Sequence, residues 1–316
     1  MRHWILYIIL FFSSVGFSQQ NSQISQYAYS KLFYNPAVAG ENSYTSITGI
    51  YRDQWSGIDG SPKSNFLSIN FPTVIKRLGF GLSFQNQNIG IQTKTDISGM
   101  YAYKLNVGET TTSIGMQFSF RNFKNDFTNS SLLAIDGFDL DPSINREIYT
   151  ESLFNVGIGA YFKAKRYYLG FSVPRMIRSS IDPIEFDDVS KESRHFYAAA
   201  GVEIPLSLDW TFHPQSLFKW SEQAPYDIDI LALFIYRNQF HLGLNMRTGG
   251  TQQSLLESVD LLLGFKITNR IFLSMAYDFT LTDLREFENG SFELLLRYDF
   301  NNIVKPKEIE NPRYFR

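Results

Sequence analysis

The feature of this sequence that most restricts its fold is an alternation of apolar and polar residues that recurs in many short segments. In the clearest of them, Thr112 to Arg121, the residues Ile114, Met116, Phe118 and Phe120 alternate with polar or small residues. A period of two gives a β-strand one apolar face and one polar face. After Gln19, no stretch approaches the roughly 18 consecutive apolar residues that a membrane-spanning helix needs. Any membrane residence must therefore come from strands.

These segments predict about fourteen strands of about ten residues, the length that crosses a bilayer when a strand is tilted. The strand from Asp227 to Tyr236 alternates poorly. The predicted fold class is all-β, a transmembrane antiparallel β-barrel of the outer-membrane type. The expected strand starts are Tyr44, Asn65, Gly79, Thr95, Thr110, Phe154, Arg166, His195, Leu208, Asp227, Phe240, Ser254, Arg270 and Ser291.

The connections between the strands differ in length as the periplasmic turns and outer loops of such barrels do. We expect all the short connections to lie on one side of the membrane, facing the periplasm, and the longer ones to face outward. The short connections are Asn106 to Glu109, Ala164 to Arg166, Arg237 to Gln239 and Thr268 to Arg270. The longer connections are Arg52 to Lys63, Lys124 to Glu151, Pro174 to Arg194 and Thr282 to Gly290.

The composition agrees with a membrane environment and excludes several functions. Charged residues make up only 19% of the chain, below the roughly 25% of a typical soluble domain. The formal net charge of -2 provides no field that attracts nucleic acid, so no nucleic-acid partner is expected. The absence of cysteine excludes disulfides, thiol nucleophiles, thiolate metal sites and lipidation of an N-terminal cysteine.

The N-terminal residues have the pattern of a cleaved secretory signal. Arg2 and His3 form a short basic region, Trp4 to Phe12 is apolar, and Gly16 to Ser18 is a small-x-small cleavage site. A transmembrane anchor is the alternative, but the apolar run is too short to span a bilayer. We therefore expect a signal peptide over residues 1–18, a periplasmic or luminal segment over 19–42, the barrel over 43–300 and a periplasmic tail over 301–316.

Residues that could perform catalysis are sparse. His195, His213 and His241 lack the spacing of metal ligands. A pairing of His241 with Asp260 or Asp278 is the one acid–base alternative that the sequence leaves open. We expect no enzymatic activity and no cofactor.

Two acidic loops and two glycine-containing segments have alternative interpretations. The loops could supply oxygen ligands to calcium, although solvated turns are the simpler interpretation. The glycines at Gly79 and Gly157 lie within alternating strands and precede no helix, so they favour strand curvature and close approach over a phosphate loop. The acidic residues are Asp136, Asp139 and Asp141 in the first loop and Asp182, Glu185, Asp187 and Asp188 in the second.

Two motifs near the N-terminus are more specific than the strand pattern. Residues Gln23 to Gly40 read QISQYAYSKLFYNPAVAG, and residues Tyr51 to Ser64 read YRDQWSGIDGSPKS. Together with N-x-x-I-G at Asn86 to Gly90, they resemble the signature of the PorP/SprF family. The resemblance covers nearly the whole mature chain and is strongest in its first quarter. The motif residues to which we assign structural roles are Asn35, Pro36, Gly40, Gly60 and Pro62.

The resemblance implies an outer-membrane component of the type IX secretion system of Bacteroidota. It implies that the barrel binds the C-terminal domain of a secreted surface adhesin and supports its export, its surface attachment and gliding motility. It also implies contact with other components of the secretion system.

The expected partner-binding residues are Tyr51, Arg52, Trp55, Asp59 and Lys63. Aromatic and arginine side chains dominate binding hot spots, and packing of the loop onto the barrel rim is the alternative role. The alternative function is an outer-membrane channel for small hydrophobic or polar solutes, since polar inward faces can surround water.

Overall fold

The computed structural model describes residues 23–73, 77–129, 147–179, 192–222, 224–249 and 256–300. The predicted signal peptide and tail lie outside these residues, as do the acidic residues of both candidate calcium loops. Among the described residues, no helix has both the length and the apolar character needed to cross a membrane.

The described chain forms one antiparallel sheet. Strand β1 pairs with both β2 and β15, and β10 pairs with β11 as well as with β8, so the sheet closes on itself. The two-residue strand β9 continues β8 along β10, and the result is a closed barrel of 14 strands. The predicted fold class is confirmed.

The strands are β1 (Ser46–Asp53), β2 (Lys63–Pro72), β3 (Leu78–Ile89), β4 (Gln92–Val107), β5 (Thr110–Asp126), β6 (Ile148–Lys163), β7 (Tyr167–Val173), β8 (His195–Val202), β9 (Ile204–Pro205), β10 (Trp210–Ser221), β11 (Ala224–Tyr236), β12 (Phe240–Thr248), β13 (Ser258–Lys266), β14 (Ile271–Thr280) and β15 (Ser291–Asp299). The short 3-10 helices are Tyr27–Tyr29, Lys31–Phe33, Pro36–Val38 and Asp283–Glu286.

The outward wall carries an apolar band bordered by aromatic and polar rows. At the short-turn end, four aromatic residues occupy consecutive paired positions on β10 to β13: Trp210, Tyr236, Phe240 and Phe265. Aromatic rings suit this level because they meet both hydrocarbon and headgroups. On β3 to β6 the band ends at the paired row Phe84, Ile97, Phe120 and Phe154. The next outward-facing row toward the longer loops is polar and consists of Asn86, Thr95, Asn122 and Ser152.

The four short connections named from the sequence lie on one side, but the prediction that all short connections do so is wrong. Residues 90–91 and the equally short connection between β10 and β11 lie on the side of the longer loops. One predicted strand start is also wrong. Strand β6 begins at Ile148, well before the expected start at Phe154. Its first outward residues extend beyond the apolar band, where both faces of a strand meet water and the apolar alternation disappears.

Candidate functional site

The segment from Gln23 to Glu41, which we call the luminal segment, lies inside the barrel. The Tyr27 hydroxyl donates to the carbonyl of Gln215 on β10 at 3.1 Å, and the Asn35 side-chain amide donates to the carbonyl of Ala160 on β6 at 3.0 Å. Contacts with such separate parts of the wall are possible only from within the lumen.

The family motif around Asn35 forms a compact turn in this segment. The Asn35 side-chain oxygen accepts a hydrogen bond from the backbone N–H of Ala37 at 2.9 Å, and Pro36 occupies the first helical position. Asn is a preferred N-cap, and Pro is preferred at the first position because its missing N–H would have no helical partner. Gly40 follows at φ +64°, a conformation that favours glycine.

Strand glycines form a seat for this turn, consisting of Gly79 on β3, Gly115 on β5 and Gly159 on β6. A Cβ atom at Gly115 would lie 2.3 Å from the nitrogen of Ala37, and one at Gly79 would lie 2.1 Å from the carbonyl oxygen of Ala39. No side chain fits at these distances. Close approach, one of the roles predicted for the strand glycines, is therefore confirmed at Gly79.

We expect Gly115→Ala to lower the free energy of unfolding by about 1–3 kcal/mol, the usual cost of overpacking. The added methyl group must displace either the turn or the strand. The matched control is Gly49→Ala, because a Cβ atom at Gly49 meets nothing within 4 Å. Urea unfolding in detergent micelles measures both variants. Equal midpoints for the two variants would contradict the luminal position of the turn.

Apolar side chains of the luminal segment pack against the inner wall. Leu231 and Leu233 on β11 are 0% and 1% exposed, although they point into the lumen. This explains why the strand alternates poorly in sequence: its inner face packs against protein rather than water. The cluster includes Ile24, Tyr27 and Tyr34 of the luminal segment and Leu217, Leu231, Leu233, Leu262, Phe272 and Leu295 of the wall.

A buried ion cluster lies at the outer end of the lumen, on the inner faces of β1 and β11 to β15. One Arg52 nitrogen lies 2.8 Å from a carboxylate oxygen of Asp278, and another lies 3.2 Å from Glu293. Arg247 lies 2.8 Å from Asp229 and 3.3 Å from Asp278. Buried charges of this kind are tolerated only when they are paired and hydrogen-bonded.

The ion cluster holds the first residues of the luminal segment. The Glu293 carboxylate accepts hydrogen bonds from the backbone N–H groups of Ser25 and Gln26 at 2.9 and 3.0 Å, and Arg52 donates to the Ser25 hydroxyl at 2.9 Å. Asp229, Arg247 and Glu293 also belong to this site, which the sequence patterns do not predict. A sequence pattern that could have indicated these residues is the presence of charged side chains on the polar faces of alternating strands, near the outer strand ends.

Lysines and tyrosines hold the middle and the end of the luminal segment. The Lys31 ammonium lies 3.6 Å from the centre of the Tyr168 ring, a cation–π contact, and burial lowers the pKa of Lys31. Glu41 accepts hydrogen bonds from Lys163 at 2.6 Å and from the Tyr161 hydroxyl at 3.1 Å. Burial alone would raise the pKa of Glu41, but Lys31 and Lys163 bring it below its ordinary value.

The start of the loop after β7 also folds into the lumen. The Asn155 side-chain oxygen accepts hydrogen bonds from the backbone N–H groups of Met176 and Ile177, both at 2.9 Å, and Arg175 lies 3.3 Å from Asp96. Between this loop and the luminal segment a cavity of about 40 Å³ remains, which has room for only a few waters. The barrel's own chain therefore fills this part of the lumen.

The expectation that Arg52 lies in a loop is wrong. Arg52 belongs to β1 and is 1% exposed, because it pairs with carboxylates inside the barrel. Tyr51 lies on the outward face of β1, and Lys63 is the first residue of β2 rather than a loop residue. Asp59 is exposed and Trp55 is half-buried in the loop itself.

That loop, residues 54–62, is held on both sides by backbone hydrogen bonds, and we call it the outer platform. The Ser56 N–H donates to the carbonyl of Gly290 at 2.9 Å, and the Gly90 N–H donates to the carbonyl of Gly60 at 2.8 Å. Gly60 has φ +75°, and the carbonyl of Pro62 accepts from Gln54 at 2.9 Å. The motif residue Gly60 thus joins the loop to a neighbouring connection, and Pro62 closes the loop on itself.

Trp55 occupies an unusual backbone conformation on the outer platform. Its φ is 55°, in the left-handed region that bulky residues rarely adopt. The Trp55 N–H donates to the Ser291 hydroxyl at 3.1 Å, which helps to hold this geometry. Such strained residues are concentrated at functional sites.

The acid–base alternative is not supported by the geometry. The His241 ring nitrogen Nδ1 lies 2.8 Å from the Tyr29 hydroxyl. Asp260 on β13 lies opposite Asn245 on β12. Asn245 is four residues beyond His241, so Asp260 lies about 13 Å from His241 along the strands, at roughly 3.3 Å per residue. Within the described part of the chain, no group of three or more His, Cys, Asp or Glu residues could hold a metal ion.

Comparisons with known proteins agree with this architecture. The family described as "Type IX secretion system membrane protein PorP/SprF" matches residues 16–298. The CymD monoaromatic hydrocarbon channel is 11% identical, with 91% of this chain and 96% of that chain covered and a TM-score of 0.50. A Pseudomonas aeruginosa FadL homologue is 14% identical, with 86% and 94% covered and a TM-score of 0.47. Among curated proteins, no sequence match is found. At 11% identity, the structural similarity to CymD shows that the two proteins share the barrel fold and shows nothing about function.

Proposed function

The chain belongs to the PorP/SprF family of type IX secretion system membrane proteins, and we propose that this outer-membrane barrel binds the C-terminal domain of a secreted surface adhesin. Binding would support the export and surface attachment of the adhesin and gliding motility. Family membership implies that the barrel works with other secretion-system components. The luminal segment inside the barrel supports the proposal, because a barrel that its own chain occupies is suited to holding a partner at its surface.

We assign partner binding to the outer platform and the strand ends beside it. Trp55, Asp59, Lys63 and Tyr51 provide aromatic and charged groups, the kinds of side chain from which hot spots and complementary contacts are built. Because hydrogen bonds fix the loop to both neighbours, little conformational entropy is lost on binding. Arg52 is a positioning residue, since it ties β1 to β14 and β15 beneath the loop.

The triple variant Trp55→Ala, Asp59→Ala and Lys63→Ala is expected to weaken binding of the adhesin C-terminal domain by at least about tenfold, which corresponds to about 1.4 kcal/mol. The matched control is Glu109→Ala with Lys165→Ala, which removes exposed charges from the short turns at the opposite end. Affinity is measured with the purified barrel in detergent. Equal affinity for the two variants would exclude the outer platform as the binding surface.

Deletion of the whole barrel tests the role in the cell. We expect the adhesin to be lost from the cell surface, because its anchoring component is missing. Unchanged surface levels together with normal secretion would contradict the proposal. A luminal segment that occupies the barrel interior favours this role over that of a passive channel.

A further inference from the structure

A groove interrupts the outward wall of the barrel near the short-turn end. It lies across β10 to β14 and measures about 330 Å³, within the range of about 300–1,000 Å³ that is usual for small-molecule sites. Its outward-facing walls include Leu242, Leu263, Leu273 and Met275. His241 and Ser274, which also line it, belong to the inner faces of their strands.

Aromatic rings border the groove at its turn end. Trp210, Tyr236, Phe240 and Phe265 all line it, and they are the four members of the aromatic row across β10 to β13. Neighbouring ring centres lie 4.8 Å apart for Trp210 and Tyr236 and 4.9 Å apart for Phe240 and Phe265. Because aromatic rows mark the interface between hydrocarbon and headgroups, the groove extends from that interface into the hydrocarbon.

Arginines stand on the turns that flank the groove. Arg270 is exposed on the turn between β13 and β14. Arg237, on the turn between β11 and β12, lies over the Tyr236 ring at 5.2 Å from its centre and pairs with Asp209 at 2.9 Å. These turns lie at the end of the barrel opposite the longer loops, and such barrels carry their longer loops outside, so these turns face the periplasm. Because Asp209 compensates the charge of Arg237, Arg270 supplies the positive charge at the level of the inner-leaflet headgroups.

From this arrangement we propose that the groove binds one phospholipid of the inner leaflet of the outer membrane. An acyl chain occupies the apolar groove, and the phosphate lies beside Arg270. Three observations select this occupant: the groove faces the membrane, its outward-facing lining is apolar, and a turn that flanks its interfacial end carries Arg270. A second copy of the barrel would present a convex wall, which does not enter a groove of this size.

Native mass spectrometry of the purified barrel, with phosphatidylglycerol and phosphatidylethanolamine added to the detergent, tests the proposal. We expect one tightly retained phospholipid on the unaltered protein. Leu263→Trp fills the groove and is expected to lower this retention about tenfold, or about 1.4 kcal/mol. The matched control is Leu82→Trp on β3, because Leu82 is 49% exposed and Leu263 is 48% exposed on the same outward wall. The control should retain the lipid.

A charge variant tests the headgroup contact separately. Arg270→Gln is expected to reduce retention of phosphatidylglycerol more than retention of phosphatidylethanolamine, because phosphatidylglycerol carries a net negative charge. Equal retention by Leu263→Trp and Leu82→Trp, or no retained lipid on the unaltered protein, would overturn the proposal. A change of oligomeric state caused only by Leu263→Trp would overturn it in favour of a contact between barrels.

Discussion

Replacing Arg247 by methionine is expected to lower the free energy of unfolding by about 3–5 kcal/mol, the usual effect of removing one partner from a buried ion pair. Arg247 lies 2.8 Å from Asp229, 3.3 Å from Asp278 and 3.6 Å from Asp260. Without it these carboxylates remain buried with less positive charge around them. The luminal segment also loses a contact, since Arg247 lies 3.4 Å from the Ser25 hydroxyl.

Urea unfolding in detergent micelles measures this effect. The matched control is Arg237→Met, because Arg237 forms a solvent-exposed pair with Asp209, and exposed pairs contribute little. We expect no measurable change in the control. Adding Asp229→Asn to Arg247→Met should recover part of the loss, because it removes one carboxylate from a cluster in which carboxylates then outnumber cations. If Arg247→Met and Arg237→Met shifted the midpoint equally, the stabilising role of the ion cluster would be excluded.

Much of the barrel could be predicted from the sequence, because lipid outside and a polar interior impose the same alternation on each strand. The prediction weakened where this contrast disappears. On β11, Leu231 and Leu233 are apolar on the inner face, since the luminal segment covers them. At the outer end of β6, both faces meet water, and the strand start was placed too late.

The candidate site was less predictable, because it depends on contacts between residues far apart in the chain. The motif around Asn35 was recognised, but its fit against Gly115 and Gly159 requires the closed barrel. Arg52 was placed in a loop because it adjoins one in sequence. The alternation of faces along β1 predicts the correct position. Arg52 lies on the same face as Ser46, Thr48 and Ile50, so it points into the lumen.

The luminal segment also affects the permeability of the barrel. Segments from the N-terminal region and from the loop after β7 fill the space that wide barrels of other proteins leave open to water. Removing residues 23–42 takes away the turn on its glycine seat and the residues held by Glu293. We therefore expect this deletion to convert an electrically silent barrel into one that conducts ions.

Conductance in planar lipid bilayers measures this directly. The intact protein should give no current steps, the deletion of residues 23–42 should give discrete ohmic steps, and Arg237→Met should remain silent as an unaltered-lumen control. Circular dichroism establishes that the shortened chain retains its sheet. A steady current through the intact protein would contradict a barrel closed by its own chain, and so would silence from a shortened barrel that is folded and inserted.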